Sequence, residues 1–379
     1  MTLTTKDPVL AVLSLSGGND GLSTVIPYAN GLYKDYRPSL SIPDDQVIKL
    51  NDEIGLHPTM APLKKYWDEG KMAVFLGVGY PNPSYSHFRS MDIWHTCEPD
   101  KIGTEGWLGR AIKELDPTGE NVLTGVNFGR GLPRALAMEG VPVASVGDLE
   151  TYGLLTGIDG DAQRNDALDV FGRMYGPTIG SSYALDYIRS TGISALKGAD
   201  ILARAPLMYS SDLEYSASAV GKYLKNIAQT HLADFGSRVL YTTSPYNGFD
   251  THANQAQAHS GLWSDVSANV DTFISDIRSA NKSENVTLFM FSEFGRRVTD
   301  NGSGTDHGAG SVAFAIGDHV KGGVYGEYPS LEQGDLLEGG NLSFSTDFRS
   351  IYTGIIEDWF GLDAKPIVGY EFEKVSFLG

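Results

Sequence analysis

Histidine, aspartate and glutamate are the side chains that bind divalent metal ions through nitrogen and oxygen, and five short stretches of this chain carry them in loop-like contexts. They are Asn19-Asp20, Ser86-His87, Asp250 and His252 in Gly248-Phe249-Asp250-Thr251-His252, Glu293 in Ser292-Glu293-Phe294-Gly295-Arg296, and Asp306-His307 in Gly304-Thr305-Asp306-His307-Gly308. Mixed Asp/His/Glu donors suit zinc, manganese or a similar ion, which would polarise an ester oxygen and lower the pKa of a bound water or hydroxyl. Each stretch also has a plain structural reading. Asn19-Asp20-Gly21 alone is a turn, Ser86 alone is a helix cap, and Glu293 with Arg296 is a surface ion pair of little worth. His57, His95 and His319 have no partner pattern and are read as structural. The case for a site rests on five suitable stretches occurring in one chain.

What would bring them together is a sheet. Val9 to Leu15, Met72 to Val78, Val122 to Phe128, Val141 to Val146, Arg238 to Thr243, Val286 to Phe291 and Ser311 to Ile316 are short apolar runs. They read as buried strands, and the helical stretches between them predict an α/β fold, a three-layer α/β/α arrangement with a mostly parallel sheet. In such a sheet the ligand crevice lies outside the carboxyl ends of the strands. Four of the five stretches follow predicted strands, and Asp306-His307 precedes one. Leu262, Val266, Val270, Phe273 and Ile277 recur at spacings of a buried helical stripe, and His259 and His252 extend it toward the helix start. Residues about 161–233 read as a helical insertion or cap within a single domain spanning 1–379.

The formal charge is −18. So acidic a surface repels nucleic acid and anionic lipid, although a metal cluster in a cleft can reverse the field locally. The lone cysteine, Cys97, excludes an intrachain disulfide. No apolar run approaches the ~20 residues of a membrane helix. The start, Met1 to Asp7, has no basic and apolar leader pattern. The expectation is a cytoplasmic protein as written, or a periplasmic one if a signal has been trimmed.

The ordered set Ser14–Leu22, Tyr85-Ser86-His87-Phe88, Gly106-Trp107-Leu108-Gly109-Arg110, Gly248–His252, Ser292–Arg296 and Gly304–Gly308 resembles the bacterial domain-of-unknown-function family 1501. That family is similar in fold to the alkaline phosphatase and sulfatase superfamily. The resemblance implies roles. Asp20 would be the metal-binding aspartate after the first strand, and Ser86 the nucleophile at a helix N-terminus. Asp250, His252, Glu293, Asp306 and His307 would complete the metal site. Where the superfamily commonly has Asp-His, this chain has Glu293-Phe294, so one histidine ligand is missing at that point.

Three functions remain open. The first is a metal-dependent hydrolase of a phosphate or sulfate ester, carried by a small molecule or a glycan. Ser86 and His87 would do the chemistry, and Asn19, Arg89 or Arg296 would hold the substrate. The second is a lyase, mutase or transferase acting on a polar metabolite. The third is a non-catalytic metal- or glycan-binding exported protein. His259, two turns from His252, is expected to support a ligand if it takes part at all.

Overall fold

The computed structural model describes residues 7–150, 161–174 and 183–379. The main sheet begins with β1 (Val9–Ser14). A small three-stranded sheet beside it consists of β2 (Val25–Ile26), β3 (Ile48–Lys49) and β4 (Gly55–Leu56). The main sheet continues with β5 (Met72–Gly79), β6 (Gly125–Phe128), β7 (Val143–Val146), β8 (Val239–Thr243), β9 (Val286–Phe291), β10 (Ser311–Gly317), β11 (Gly323–Tyr325) and β12 (Thr346–Asp347). Its nine strands run in the order β11-β5-β10-β9-β1-β8-β6-β7, with β12 also on β5. Every predicted apolar run forms a strand, the shift being a few residues at Val122 and Val141.

β1 is central and buried throughout. Its alternation serves two cores: Val9, Ala11 and Leu13 face one layer, and Leu10 and Val12 the other. The first layer includes the helices Ala219–Leu232 and Gln255–Ser279; the second includes His87–Thr96, Trp107–Leu115 and Phe348–Gly354. Helices on both faces of a mostly parallel sheet make the three-layer α/β/α fold that the sequence predicts. Residues 161–233 hold the helices Asp161–Met174, Tyr183–Leu202, Ala205–Met208 and Ala219–Leu232. The last of these buries Val220, Leu224 and Ile227 in the first core.

One strand is reversed. β10 pairs antiparallel with both β9 and β5, whereas β1 pairs parallel with β8 and β9. The residues leading into β10 therefore arrive at the same edge that the parallel strands leave. This is how Asp306 and His307, which precede their strand, join residues that follow theirs.

The helix Gln255–Ser279 has the expected stripe, with Val266, Val270, Phe273 and Ile277 buried, although Trp263 rather than Leu262 is the fully buried residue near its start. His252 does not extend the stripe. Asn254 takes a left-handed conformation (φ 52°) at the N-cap, so the chain turns there and His252 lies in the preceding loop. No helix among the described residues is long and apolar enough to cross a membrane.

The loop after β1 is pinned by a buried ion pair. Arg37 reaches Asp20 with both Nη atoms, at 2.5 and 3.0 Å, and donates to the carbonyl of Arg297 at 2.8 Å. Burial alone would raise the Asp20 carboxyl, but the charge and hydrogen bond of Arg37 outweigh it and hold the group well below the usual carboxylate range. A carboxyl depressed in the folded state contributes stability that is complete above its unfolded pKa of ~3.9 and is lost as pH falls toward the folded value. Asp20→Ala strands a buried guanidinium and should cost about 3–5 kcal/mol near neutral pH. Urea unfolding at pH 7 and pH 3 checks this: the gap between wild type and variant should narrow at the acid pH.

Candidate functional site

The site forms where the loops after β1, β5, β8 and β9 meet the loop before β10. Ser16-Gly17-Gly18 brings backbone rather than side chains to the centre. Gly17 (φ +117°) lies so close to the Asp250 loop that a Cβ would sit 2.5 Å from the Asp250 amide nitrogen. The carbonyls of Gly17 and Gly18 both accept from the buried Arg296, the latter at 2.7 Å. The same guanidinium donates to the carbonyls of Thr305 (2.9 Å) and Phe249 (3.0 Å), and to Asp250 Oδ1 (2.7 Å). One side chain thus ties three loops and orients one carboxylate. Partial burial raises the Asp250 carboxyl, but the hydrogen bond and charge of Arg296 help bring it down to about 2.

Glu293 performs a second orienting task. Its carboxylate is buried; Oε1 accepts from the Gly17 amide (2.9 Å) and from His87 Nδ1 (2.8 Å). That hydrogen bond is the main reason the His87 pKa is raised, against the opposing effect of burial. His87 is the first residue of the helix His87–Thr96. Tyr80 anchors the preceding loop, taking the Ser84 amide at 3.0 Å and meeting Ser90 Oγ at 2.9 Å.

The other ring nitrogens converge. His87 Nε2 lies 3.1 Å from His307 Nε2 and 3.4 Å from Asp250 Oδ2. His252 Nε2 lies 3.0 Å from His307 Nε2 and 3.1 Å from Asp250 Oδ1, and His307 Nε2 is 3.1 Å from the same oxygen. All three Nδ1 atoms point away to oxygens: His87 to Glu293, His252 to Asp306 Oδ1 at 3.2 Å, and His307 to the Tyr85 carbonyl at 2.8 Å. A carbonyl can only accept, so His307 carries its proton on Nδ1; the carboxylates ask the same of the other two rings. In neutral rings this leaves three Nε2 lone pairs facing one another and a carboxylate. Such an arrangement is repulsive unless a metal ion or additional ring protons lie among them. Five donor separations of 3.0–3.4 Å, three about His307 Nε2 and two from the other rings to separate oxygens of Asp250, are near the edge of about 3.3 Å that a tetrahedral zinc site has at metal–ligand distances near 2.0–2.1 Å. Donor atoms of His87, Asp250 and His307 lie within 4.8 Å of one another, and His252, 46% exposed at its side chain, closes the group on the solvent side. His87, Asp250 and His307 could hold a divalent ion, with His252 beside them.

The structure redistributes several sequence expectations. His87, expected to be catalytic, has its Nε2 in the cluster. Glu293 and Asp306, expected as ligands, instead hold the Nδ1 atoms of His87 and His252. Asp20 is removed from the cluster by its pairing with Arg37 and by the Gln255 amide. Arg296 cannot hold substrate, because its donors are engaged by the protein. Arg89 is likewise taken by Asp92 and the carbonyls of Glu98 and Pro99. Asn19 is buried, its Oδ1 accepting from Thr24 Oγ1 at 3.0 Å and Trp263 Nε1 at 3.1 Å. His259 is buried behind this layer, 3.2 Å from Thr24 Oγ1 and edge-on to His57, with burial lowering its pKa to about 3. It touches no ligand of the cluster, so its place is in the core. Ser86 stands at the N-cap of the helix beginning at His87, exposed, with a hydroxyl that caps no amide. Sequence reasoning missed Arg37 and the Tyr85 carbonyl; neither has a local signal, since each acts across the fold.

Replacing Glu293 by Gln leaves the shape but removes the charge that fixes the His87 tautomer. Zinc affinity should fall about 10–100-fold, as for other groups that orient a metal-ligating histidine. Competition with a chromophoric chelator measures it; unchanged affinity would separate Glu293 from the site.

No curated protein matches this chain. Among solved structures, the C-terminal periplasmic domain of EcEptC from Escherichia coli is 13% identical, with 99% of this chain and 90% of that one covered and a TM-score of 0.40. The lipoteichoic acid synthase LtaP from Listeria monocytogenes is 8% identical, with 91% and 76% covered and a TM-score of 0.41. A putative sulfatase from Bacteroides thetaiotaomicron is 11% identical, with 97% and 76% covered and a TM-score of 0.36. Likenesses this loose carry no activity from one chain to another. The family match is more direct: residues 211–369, which hold the loops of Asp250, His252, Glu293 and His307, match the family described as "Protein of unknown function (DUF1501)", the one that the ordered motifs resemble.

Proposed function

We propose that this chain is a metal-dependent hydrolase of a phosphate or sulfate ester, with one zinc ion held by His87, Asp250, His252 and His307. The observation that carries the reading is the convergence of three Nε2 atoms on one carboxylate while every Nδ1 is committed outward. A zinc ion bound there supplies Lewis acidity to an ester oxygen and lowers the pKa of a coordinated hydroxyl or water. The protein contributes the rest. Ser86 presents an uncommitted hydroxyl next to His87, at a helix N-terminus whose backbone N–H groups favour an anion. The helix dipole alone supplies only about 0.3–1 kcal/mol, so it cannot activate Ser86 by itself, and a metal contact is required for the nucleophile reading. Glu293 and the Tyr85 carbonyl keep the imidazoles in register.

One feature favours the alternative of a metal-binding protein without turnover. Four protein donors close a tetrahedral zinc, and catalytic zinc sites usually keep one position open. Against it stands the exposure of His252 and Asp250 on the solvent side, where substrate could approach and coordination could expand.

The experiment is metal analysis of protein purified without chelator, with p-nitrophenyl phosphate and p-nitrophenyl sulfate as substrates. His252→Ala should lose zinc, and compared metal-free with wild type it should show little change in thermal midpoint, because an exposed loop residue adds little to the core. Ser86→Ala should keep its zinc and lose turnover. Full turnover in Ser86→Ala would transfer the nucleophile to water, and a zinc-loaded wild type inactive on both esters would favour the binding reading.

A further inference from the structure

The arginines expected to hold an anion are both consumed by the fold, which leaves the question of what cation meets a phosphate or sulfate in a chain of charge −18. The residue next to Arg296 answers it. Arg296 and His307 face each other as an antiparallel bridge. Neighbouring residues of an extended segment point to opposite sides. Arg296 therefore goes inward and Arg297 outward to the rim, where its side chain is 45% exposed.

One contact places Arg297 beside the exposed flank of the cluster. Its Nη1 lies 3.9 Å from Asp306 Oδ2, and the other oxygen of Asp306 holds His252 Nδ1. Burial raises the pKa of the Tyr85 phenol, the charge of Arg297 opposes that rise, and the charge of Glu338 adds to it. The Tyr85 carbonyl holds His307 Nδ1. Arg297 thus stands one residue away from two ring nitrogens of the cluster. Its guanidinium makes no hydrogen bond among the described residues, and the Asp306 contact is longer than a charge-assisted hydrogen bond. A planar fork with free donors, beside a convergent cluster, suits bidentate binding of a tetrahedral oxyanion.

We infer that Arg297 is the side chain that binds the anionic oxygens of the substrate, and so sets the preference for a phosphate or sulfate ester over a neutral one. The inference rests on the reading of the cluster as an ester-hydrolysing centre, but anion binding can be measured without turnover. Zinc-loaded wild type, Arg297→Ala and Arg297→Lys are titrated calorimetrically with inorganic phosphate and inorganic sulfate, and KM and kcat are measured on p-nitrophenyl phosphate and p-nitrophenyl sulfate. Arg297→Ala should weaken binding of the preferred anion about tenfold or more and raise KM with little change in kcat, at unchanged zinc content. Arg297→Lys, which keeps the charge but loses the fork, should fall between, and it decides the matter if Arg297→Ala fails to fold. Equal anion affinity in the variants, or no anion binding by the wild type, overturns the inference. Anion binding through Arg297 in a protein that hydrolyses neither ester supports the inference and overturns the hydrolase reading instead.

Discussion

The site hangs on the Arg296 guanidinium. A fully buried arginine must have its N–H donors met, and here they are met by carbonyls from the loop after β1, the loop of Phe249 and Asp250, and the loop of Thr305, with Asp250 itself as counter-charge. Remove it and those carbonyl oxygens lose their partner while Gly17 and Gly18 remain in left-handed conformations. Gly17 is needed because the chain must carry its backbone, not a side chain, against Asp250, and Gly18 because a side chain there would run into the Phe294 ring. Burying one charge in this way costs solvation, and the return is geometric: loops from distant parts of the sequence are held in a single arrangement.

The sheet supplies the other half of that geometry. Parallel strands β1, β5, β8 and β9 deliver their following loops to one edge, and the reversed β10 delivers the loop that precedes it. An all-parallel sheet would have placed His307 at the opposite edge. The one antiparallel strand is therefore a condition of the cluster, and the two carboxylates behind it, Glu293 and Asp306, are aimed at imidazole N–H groups rather than at the centre.

Strands and layers were legible in the sequence because burial on both faces writes continuous apolar runs, as in β1, β5 and β9. So was the set of loops that meet. Which residue in each loop does what was not legible. Asp20 and Asp250 both follow a strand and a glycine-containing loop, yet one is bound to Arg37 and the other is aimed by Arg296; the choice lies in residues 17 and 46 positions away. His252 looked helical because the stripe of the following helix extrapolates through it, and only the left-handed Asn254 breaks that pattern. Glu293 looked like a ligand because a carboxylate after a strand suits one; its assignment depends on an Nδ1 contact of 2.8 Å with a histidine 206 positions earlier.

Under the proposed reading, the donor set also narrows what the sequence left broad. Zinc and manganese were equally suited to a mixture of aspartate, glutamate and histidine. With Glu293, Asp306 and Asp20 drawn off to other partners, three nitrogens and one carboxylate remain. Oxygen-rich, six-coordinate surroundings favour manganese or magnesium, whereas a small nitrogen-rich set favours zinc. Three neutral imidazoles and one carboxylate carry a charge of about −1, so a divalent cation among them leaves the centre positive. The outer carboxylates offset that charge from behind, bound to the far side of the rings. Under the proposed reading, an anion approaching from the His252 side would meet that positive centre, Arg297 and the half-exposed Asp306 before Glu293, which is buried. The acidity of the chain as a whole is therefore compatible with an anionic substrate.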